Sequence, residues 1–178
     1  MYLLSAVAIL GAGDTIYYHE WRARLPSMGK RAQKELELHA FRDFIYTVLF
    51  CSVPWFAWRG LWAAFLGFLL LAEIALTLWD FVVEDWIRKP LGGVYPGERI
   101  MHAIIGLVYG AMLGYFIPIL WAWKDATSEI RFWPAPIPAI LRWFLLGMGA
   151  GVLVSGIRDL LAAFEVPGSA WPWNAAKE

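Results

Sequence analysis

The sequence has only one cysteine and three histidines, and its charges cancel. A single thiol, Cys51, excludes an intrachain disulfide and a metal site made of several cysteines. With 15 basic and 15 acidic residues the formal net charge is zero, so the charge does not indicate a nucleic-acid partner. A nucleotide-binding fingerprint is also missing, and any reductant must therefore come from another molecule.

Hydrophobic and aromatic residues are abundant instead. Apolar residues make up 60% of the chain, whereas a soluble domain has roughly 45–50%. The 12 tryptophans are typical of membrane–water interfaces. Since a membrane-spanning helix needs about 20 apolar residues, the sequence predicts an all-α polytopic membrane protein with about five transmembrane helices. The expected spans are Tyr2–Tyr18, Phe41–Trp58, Leu61–Val83, Ile100–Trp123 and Ile137–Phe164.

Basic residues are unevenly distributed among the loops. Eleven of the 15 lie in three places: from the end of the first span to the start of the second, between the third and fourth spans, and at or after the end of the fifth. Because loops rich in Lys and Arg stay in the cytoplasm, we expect a multi-pass protein with its N-terminus outside and its C-terminus in the cytoplasm. The expected location is a bacterial inner membrane. Residues 1–164 are expected to form one transmembrane domain, and residues 165–178 an interfacial or flexible tail.

A pattern recurs along the chain at a distance of about 64 residues. Glu, His, Ala and Tyr occur at the same relative positions in both copies, each downstream of a Trp. The copies are Glu35, His39, Ala40 and Tyr46 after Trp21, and Glu98, His102, Ala103 and Tyr109 after Trp86. This repeat predicts two duplicated antiparallel hairpins, about residues 1–58 and 61–123, that form a four-helix bundle. The fifth helix, 137–164, lies outside the duplication.

Acidic residues and histidines gather where the first four spans are expected to meet the cytoplasm. Glu and His lie four residues apart on the second and fourth spans, and so share a helix face. Ferritin-like di-iron bundles use a Glu from each of two helices and a Glu-x-x-His motif from each of the other two. The spacing here is one residue longer, so the likeness is only a physical analogy. The expected metal ligands are Glu20, Glu35, His39, Glu84, Glu98 and His102, with His19, Asp80 and Asp85 as alternates.

A different interpretation of the same residues needs no metal. Acidic side chains at the start of a helix interact favourably with the helix dipole. The group is then a set of solvated helix ends joined by ion pairs.

The third expected span carries a polar stripe formed by Glu73, Thr77, Asp80 and Glu84. A carboxyl group deep in an apolar span is costly and normally faces a cavity or a partner. The position of Glu73 therefore predicts that it belongs to a proton path or to the polar end of a substrate cavity. The alternative is a protonated Glu73 that hydrogen-bonds a neighbouring helix. Together with Tyr46 and Tyr109, Glu73 is the expected catalytic group.

The remaining charged residues are expected to support the metal site. A metal-bound histidine usually donates its other N–H to an acceptor, and Asp43 with Arg42 is expected to fill this supporting role. Arg88 and Arg158 are expected to bind an acidic substrate head group or lipid phosphates, although ordinary cytoplasmic anchoring also explains them.

The patterns lead to one main hypothesis and two alternatives. The main hypothesis is a membrane-embedded di-metal oxidoreductase or oxygenase, with iron as the expected metal. It would act on an apolar or lipid-like substrate at the cytoplasmic face and receive electrons from a protein or a quinone. The first alternative is a non-catalytic membrane subunit that binds haem b between His39 and His102. The second is a zinc-dependent lipid hydrolase.

Overall fold

The computed structural model describes residues 1–170, and these are mostly helical. Residues 171–178 of the predicted tail lie outside the described residues. A π-helical segment, Thr15–Ala23, directly continues the first α-helix, and single 3₁₀ turns occupy Leu25–Ser27, Gly29–Arg31 and Lys89–Leu91. The five α-helices are α1 (Tyr2–Asp14), α2 (Gln33–Ser52), α3 (Leu61–Ile87), α4 (Pro96–Trp123) and α5 (Ala139–Ala163).

Three of these helices, α3, α4 and α5, are long and apolar enough to cross a membrane. Large apolar side chains such as Leu61, Leu107 and Ile140 lie exposed on them, as expected for surfaces that face lipid. The first helix has only 13 α-helical residues, and the first half of α2 carries several charged residues. The described part of the chain is therefore a helical protein with three apolar helices of membrane-spanning length.

The end of the predicted second span is not helical, which corrects the expected range Phe41–Trp58. Helix α2 ends at Ser52, because Pro54 removes a backbone donor and clashes with the preceding turn. Strand β1 (Phe56–Arg59) then pairs antiparallel with β2 (Glu129–Phe132). Phe56 lies opposite Phe132, and Arg59 donates a 2.8 Å hydrogen bond to Glu129.

Gly60 makes the tight connection between β1 and α3 possible. Its backbone has a φ of +62°, a conformation that costs little only for glycine. A Cβ atom at this position would lie 2.7 Å from the backbone oxygen of Ala126. The glycine therefore lets the start of α3 approach the segment that leads into β2.

The most extensive helix contact is between α2 and α5, and the next two join helices of different predicted halves. Helix α1 packs against α4, and α2 packs against both α3 and α5. One apolar core lies among the first four helices and α5, and includes Leu4, Leu49, Leu66 and Leu145. A smaller core joins the 23–36 segment to the end of α5.

Gly149 and Gly156 of α5 allow its close contact with α2, because a Cβ atom at either position would meet atoms of α2. A Cβ atom on Gly156 would lie 2.8 Å from the Cβ of Asp43, whereas a Cβ atom on Gly151 would have no neighbour within 4 Å. We expect Gly156→Ala to destabilise the protein by about 1–3 kcal/mol, because the backbones must separate. The matched Gly151→Ala is expected to be neutral or to stabilise by up to about 1 kcal/mol. Thermal unfolding in detergent measures both, and equal midpoints would contradict this packing.

Candidate metal centre

Ionisable side chains converge at the end of the helices opposite the two strands. We call this group the polar layer. It contains seven carboxyl groups, three histidines and three arginines, most of them buried. Its members are Asp14, His19, Glu20, Glu35, His39, Arg42, Asp80, Glu84, Arg88, Glu98, His102, Arg158 and Asp159. The ends of α1, α3 and α5 and the starts of α2 and α4 supply them, so the layer is assembled from all five helices.

His102 stands between two groups of potential metal ligands. Its Nε2 lies 3.1 Å from Asp14, and its Nδ1 lies 3.5 Å from Glu84. The first group is Asp14, His19 and His102, and the second is Glu84, Glu98 and His102, each with ligand atoms within 4.8 Å of one another. The ring of Phe81 stacks on His102 at 5.0 Å and helps to fix its orientation.

The π-helical segment places Asp14 and His19 on one side of the first helix. In an α-helix, side chains five residues apart point about 140° away from each other, because each residue turns by about 100°. In a π-helix, hydrogen bonds join residues five apart, so their side chains lie on the same side. His19 Nε2 consequently lies 3.5 Å from Asp14 and 3.3 Å from Glu98. The local irregularity thereby turns His19 from an alternate into a member of the first ligand group.

His39 belongs to a neighbouring network rather than to either ligand group. Its Nε2 lies 3.3 Å from Asp80, and its Nδ1 lies 3.9 Å from Asp159. Arg42 donates a 2.9 Å hydrogen bond to the same Asp80. The His39 ring stacks on that of His19 at 4.5 Å, so all three histidines meet in the polar layer.

Arg88 lies at the centre of the layer and has no exposed surface. Its guanidinium donates to Glu35 at 2.7 and 3.1 Å and to Glu98 at 3.2 Å. Burial acts to lower the pKa of Arg88, but the hydrogen bond to Glu35 and the charges of Glu35 and Glu98 outweigh it and raise the pKa above its usual value. This enclosed arginine holds two carboxylates together and leaves no surface for the expected substrate head group.

Three further predicted residues are in different surroundings. Glu20 pairs with Arg158, which also donates a 2.6 Å hydrogen bond to Asp159. Asp43 packs against α5 at Gly156, and the acceptors that face His39 within the described residues are Asp80 and Asp159. Asp85 is more than half exposed, with Arg99 at 3.9 Å, and lies outside the polar layer.

The expected catalytic group is assembled one level deeper along the helices. Tyr46 donates a 2.7 Å hydrogen bond to Glu73, and Thr77 donates another at 2.8 Å to the same oxygen. Tyr109 lies 6.4 Å from Tyr46, ring to ring, and makes a long 3.4 Å hydrogen bond to the carbonyl oxygen of Leu70. The buried Glu73 thus accepts a hydrogen bond from Tyr46 on the neighbouring helix α2.

Several buried ligand atoms in the polar layer make no hydrogen bond of ordinary geometry with the described residues. They are Asp14 Oδ1, His19 Nε2, Glu84 Oε2 and Glu98 Oε2 in the two ligand groups, and His39 Nε2 and Asp80 Oδ1 beside them. Buried polar atoms are normally satisfied, and exceptions mark strain or a site for water or an ion. Four such atoms in the two ligand groups therefore support an ion-binding site.

Two members of the layer were not assigned as ligands from the sequence. Asp14 lies five residues before His19, a spacing that does not put the two side chains on one face of an α-helix. Asp159 lies on α5, and nothing in the sequence fixes how that helix is rotated. No protein-family model, no curated protein and no solved structure matches this chain.

Proposed function

We propose that this protein is a membrane-embedded oxidoreductase that binds two metal ions in the polar layer and acts on an apolar, lipid-like substrate. The observation that carries this proposal is the position of His102 between the two ligand groups, with Nε2 beside Asp14 and Nδ1 beside Glu84. Bound through both nitrogens, His102 would bridge the two ions as an imidazolate, with neither nitrogen protonated. Two histidines and one carboxylate, the types present in the first group, are the ligand set of many non-haem iron centres. Iron is accordingly the proposed metal.

The charges of the polar layer support the same proposal. Seven carboxylates face three arginines, which leaves four negative charges that only the three histidines or bound cations can balance. Burying an uncompensated carboxylate is costly. Two divalent cations would neutralise these four charges, and each of the two ligand groups contains ligand atoms without hydrogen bonds.

The proposed architecture is a four-helix bundle formed by duplication, with α5 packed on its side. Two contacts support it: His102 with Asp14 at 3.1 Å, and His39 with Asp80 at 3.3 Å. Each joins a helix of one proposed half to a helix of the other, with equivalent residues exchanged. On α3, Asp80 and Glu84 lie four residues apart and share one face of the helix. Asp14 and His19 lie five residues apart, and the π-helical segment brings them to one side of the first helix in the same way.

In the membrane we propose five spans, with the N-terminus outside and the polar layer at the cytoplasmic face. The excess of basic residues in the connections beside the polar layer supports this orientation. The first span would comprise α1 and part of the π-helical segment, which run without interruption from Tyr2 to Ala23.

The depth of the catalytic group favours electron and proton transfer over direct attack at a metal. Tyr46 and Tyr109 each lie seven residues, or about 10 Å along the helix, from the histidine on their own helix. Direct reaction needs the reacting atoms about 3–3.5 Å apart. A substrate that stops at the tyrosines would therefore exchange electrons and protons with the polar layer, and a protein or quinone partner would complete the redox cycle.

Metal analysis of the detergent-purified protein tests the proposal. We expect about two ions per chain, since the two ligand groups share His102 but are otherwise separate. Asp14→Asn keeps the size of the side chain, removes its charge and is expected to weaken metal binding at least about tenfold. Asp85→Asn makes the same change at an exposed site and is expected to have no effect. Fewer than one ion per chain, or equal metal content in both variants, would contradict the proposal.

A zinc hydrolase is the second candidate, favoured by the first ligand group alone. Two histidines and one carboxylate with an open fourth position also suit catalytic zinc. One zinc ion per chain, with no iron binding on reconstitution, would support it. A haem between His39 and His102 is less compatible with the structure, because the ring of His19 stacks directly on His39.

A further inference from the structure

An apolar cavity of about 490 Å³ lies in the half of the molecule opposite the polar layer. Its walls come from α1 to α4 and β1 and include Leu4, Leu49, Leu66, Met112 and Trp58. Cavities of roughly 300–1,000 Å³ with mostly apolar walls are typical of sites for small organic ligands. The size and lining therefore fit one lipid-like molecule.

The inner end of this cavity meets the catalytic group. The lining residues Leu49, Leu70 and Met112 each lie three residues from Tyr46, Glu73 and Tyr109, respectively. On each of the three helices this distance is less than one turn, about 4.5 Å. The apolar chamber thus ends at a small polar group, and Tyr46 and Glu73 in that group are hydrogen-bonded to each other.

The opposite side of the cavity reaches the apolar outer surface. Tyr2, Tyr115 and Ile119 line the cavity, and their side chains are also exposed on the outside of α1 and α4. If these helices span the membrane, this opening faces the acyl chains of the bilayer. A ligand that is dissolved in the bilayer has direct access to the chamber.

We propose that the cavity is the substrate site and takes a single-chain lipid with a neutral, oxygen-bearing end group that inserts first. The role as a substrate site rests on the proposed function. The apolar chain fills the chamber, and its hydroxyl or carbonyl oxygen meets Tyr46, Glu73 and Tyr109.

The hydrogen bonds at the inner end explain the choice of end group. The hydroxyl of Tyr109 is held by a long bond of 3.4 Å to a backbone carbonyl and by its contact with Glu73, and it can donate to an oxygen of the ligand in place of the long bond. Glu73 accepts hydrogen bonds from Tyr46 and Thr77, and its acceptor oxygens disfavour a further anionic group beside them. Arg42, the nearest cation, is shared by Glu73 and Asp80, at 3.8 and 2.9 Å.

A continuous polar route joins this end of the cavity to the polar layer. Arg42 Nε lies 3.8 Å from Glu73, and the same arginine binds Asp80, which lies 3.3 Å from His39. Because a guanidinium has no acceptor and keeps its protons, this route is a chain of charges and not a proton relay. It couples the end group of the ligand electrostatically to the histidines.

Photolabelling with a hexadecanol that carries a diazirine beside its hydroxyl tests the site. We expect adducts on the segments around Leu49, Leu70 and Met112, with competition by hexadecanol stronger than by hexadecane or palmitate. Met112→Trp fills the chamber and is expected to reduce labelling at least about tenfold. Leu107→Trp places the same side chain on the exposed face of α4 and serves as the matched control.

A second variant keeps the test valid if Met112→Trp does not fold. Tyr109→Phe removes one hydroxyl and is expected to weaken competition by hexadecanol about fivefold, without changing competition by hexadecane. Equal labelling of Met112→Trp and Leu107→Trp, or equal competition by alcohol and alkane, would overturn the assignment.

Labelling before and after removal of metal by a chelator separates the cavity site from the metal proposal. Labelling that persists in a protein found to bind no metal would refute the metal proposal alone. Absence of labelling in a protein that does bind metal would refute the cavity site alone.

Discussion

Replacing His102 with alanine is expected to remove the bound metal, whereas the same change at His39 is expected to leave most of it in place. Although the two histidines hold equivalent positions in the repeat, the structure gives them different neighbours. His102 belongs to both ligand groups. His39 faces Asp80 and Asp159, and Asp80 is already bound by Arg42.

The expected difference between these variants is large. Loss of a residue that only supports a metal site weakens binding about 10–100-fold, so we expect His39→Ala to stay within that range. His102→Ala removes a ligand from both groups and is expected to exceed 100-fold. Titration of the metal-free proteins with Fe²⁺ or Mn²⁺ measures both affinities. An equal loss in the two variants would show that the ligands follow the symmetry of the sequence and not the contacts in the structure.

Arg88→Met is expected to be the most destabilising single substitution in the polar layer. The guanidinium of Arg88 is completely buried and bonds to Glu35 and Glu98. Removing one partner of a buried ion pair costs about 3–5 kcal/mol because the other charge stays unpaired. Arg88→Lys is expected to recover only part of this loss, since a lysine cannot make the same forked contacts.

Unfolding of the metal-free protein in mixed micelles measures this effect without a contribution from bound ions. Arg99→Met is the matched control, because Arg99 is largely exposed and lies 3.9 Å from an exposed Asp85. It is expected to change the free energy of unfolding by less than about 0.5 kcal/mol. Adding Glu35→Gln to Arg88→Met is expected to restore part of the stability. Equal stability of Arg88→Met and Arg99→Met would show that the buried pairs contribute little.

The helical class and the gathering of histidines could be predicted from the sequence because both follow from periodicity. Apolar runs indicate helices of membrane-spanning length, and alternating helix directions bring their polar ends to one level. His19, His39 and His102 do meet, as their shared level in the expected bundle predicted.

The partners of each charged group could not be predicted, because they depend on how each helix is rotated and where it is irregular. Asp14 and His19 diverge on an α-helix and come together only through the π-helical segment. Arg88 directly follows a predicted span, where a basic residue usually anchors the helix end at the membrane surface. In the structure its side chain is instead fully buried. The strands were missed because Phe56–Arg59 is short and apolar, and resembles the end of a span.

The pairing of β1 with β2 has a consequence for the order in which the protein assembles. Strand β1 leaves the ribosome long before β2, with α3 and α4 made in between. Because synthesis proceeds from the N-terminus, the two strands cannot join until both of those helices have been made. The sheet would therefore form late, and an early-terminated chain that ends in α4 would expose an unpaired β1 to chaperones and proteases.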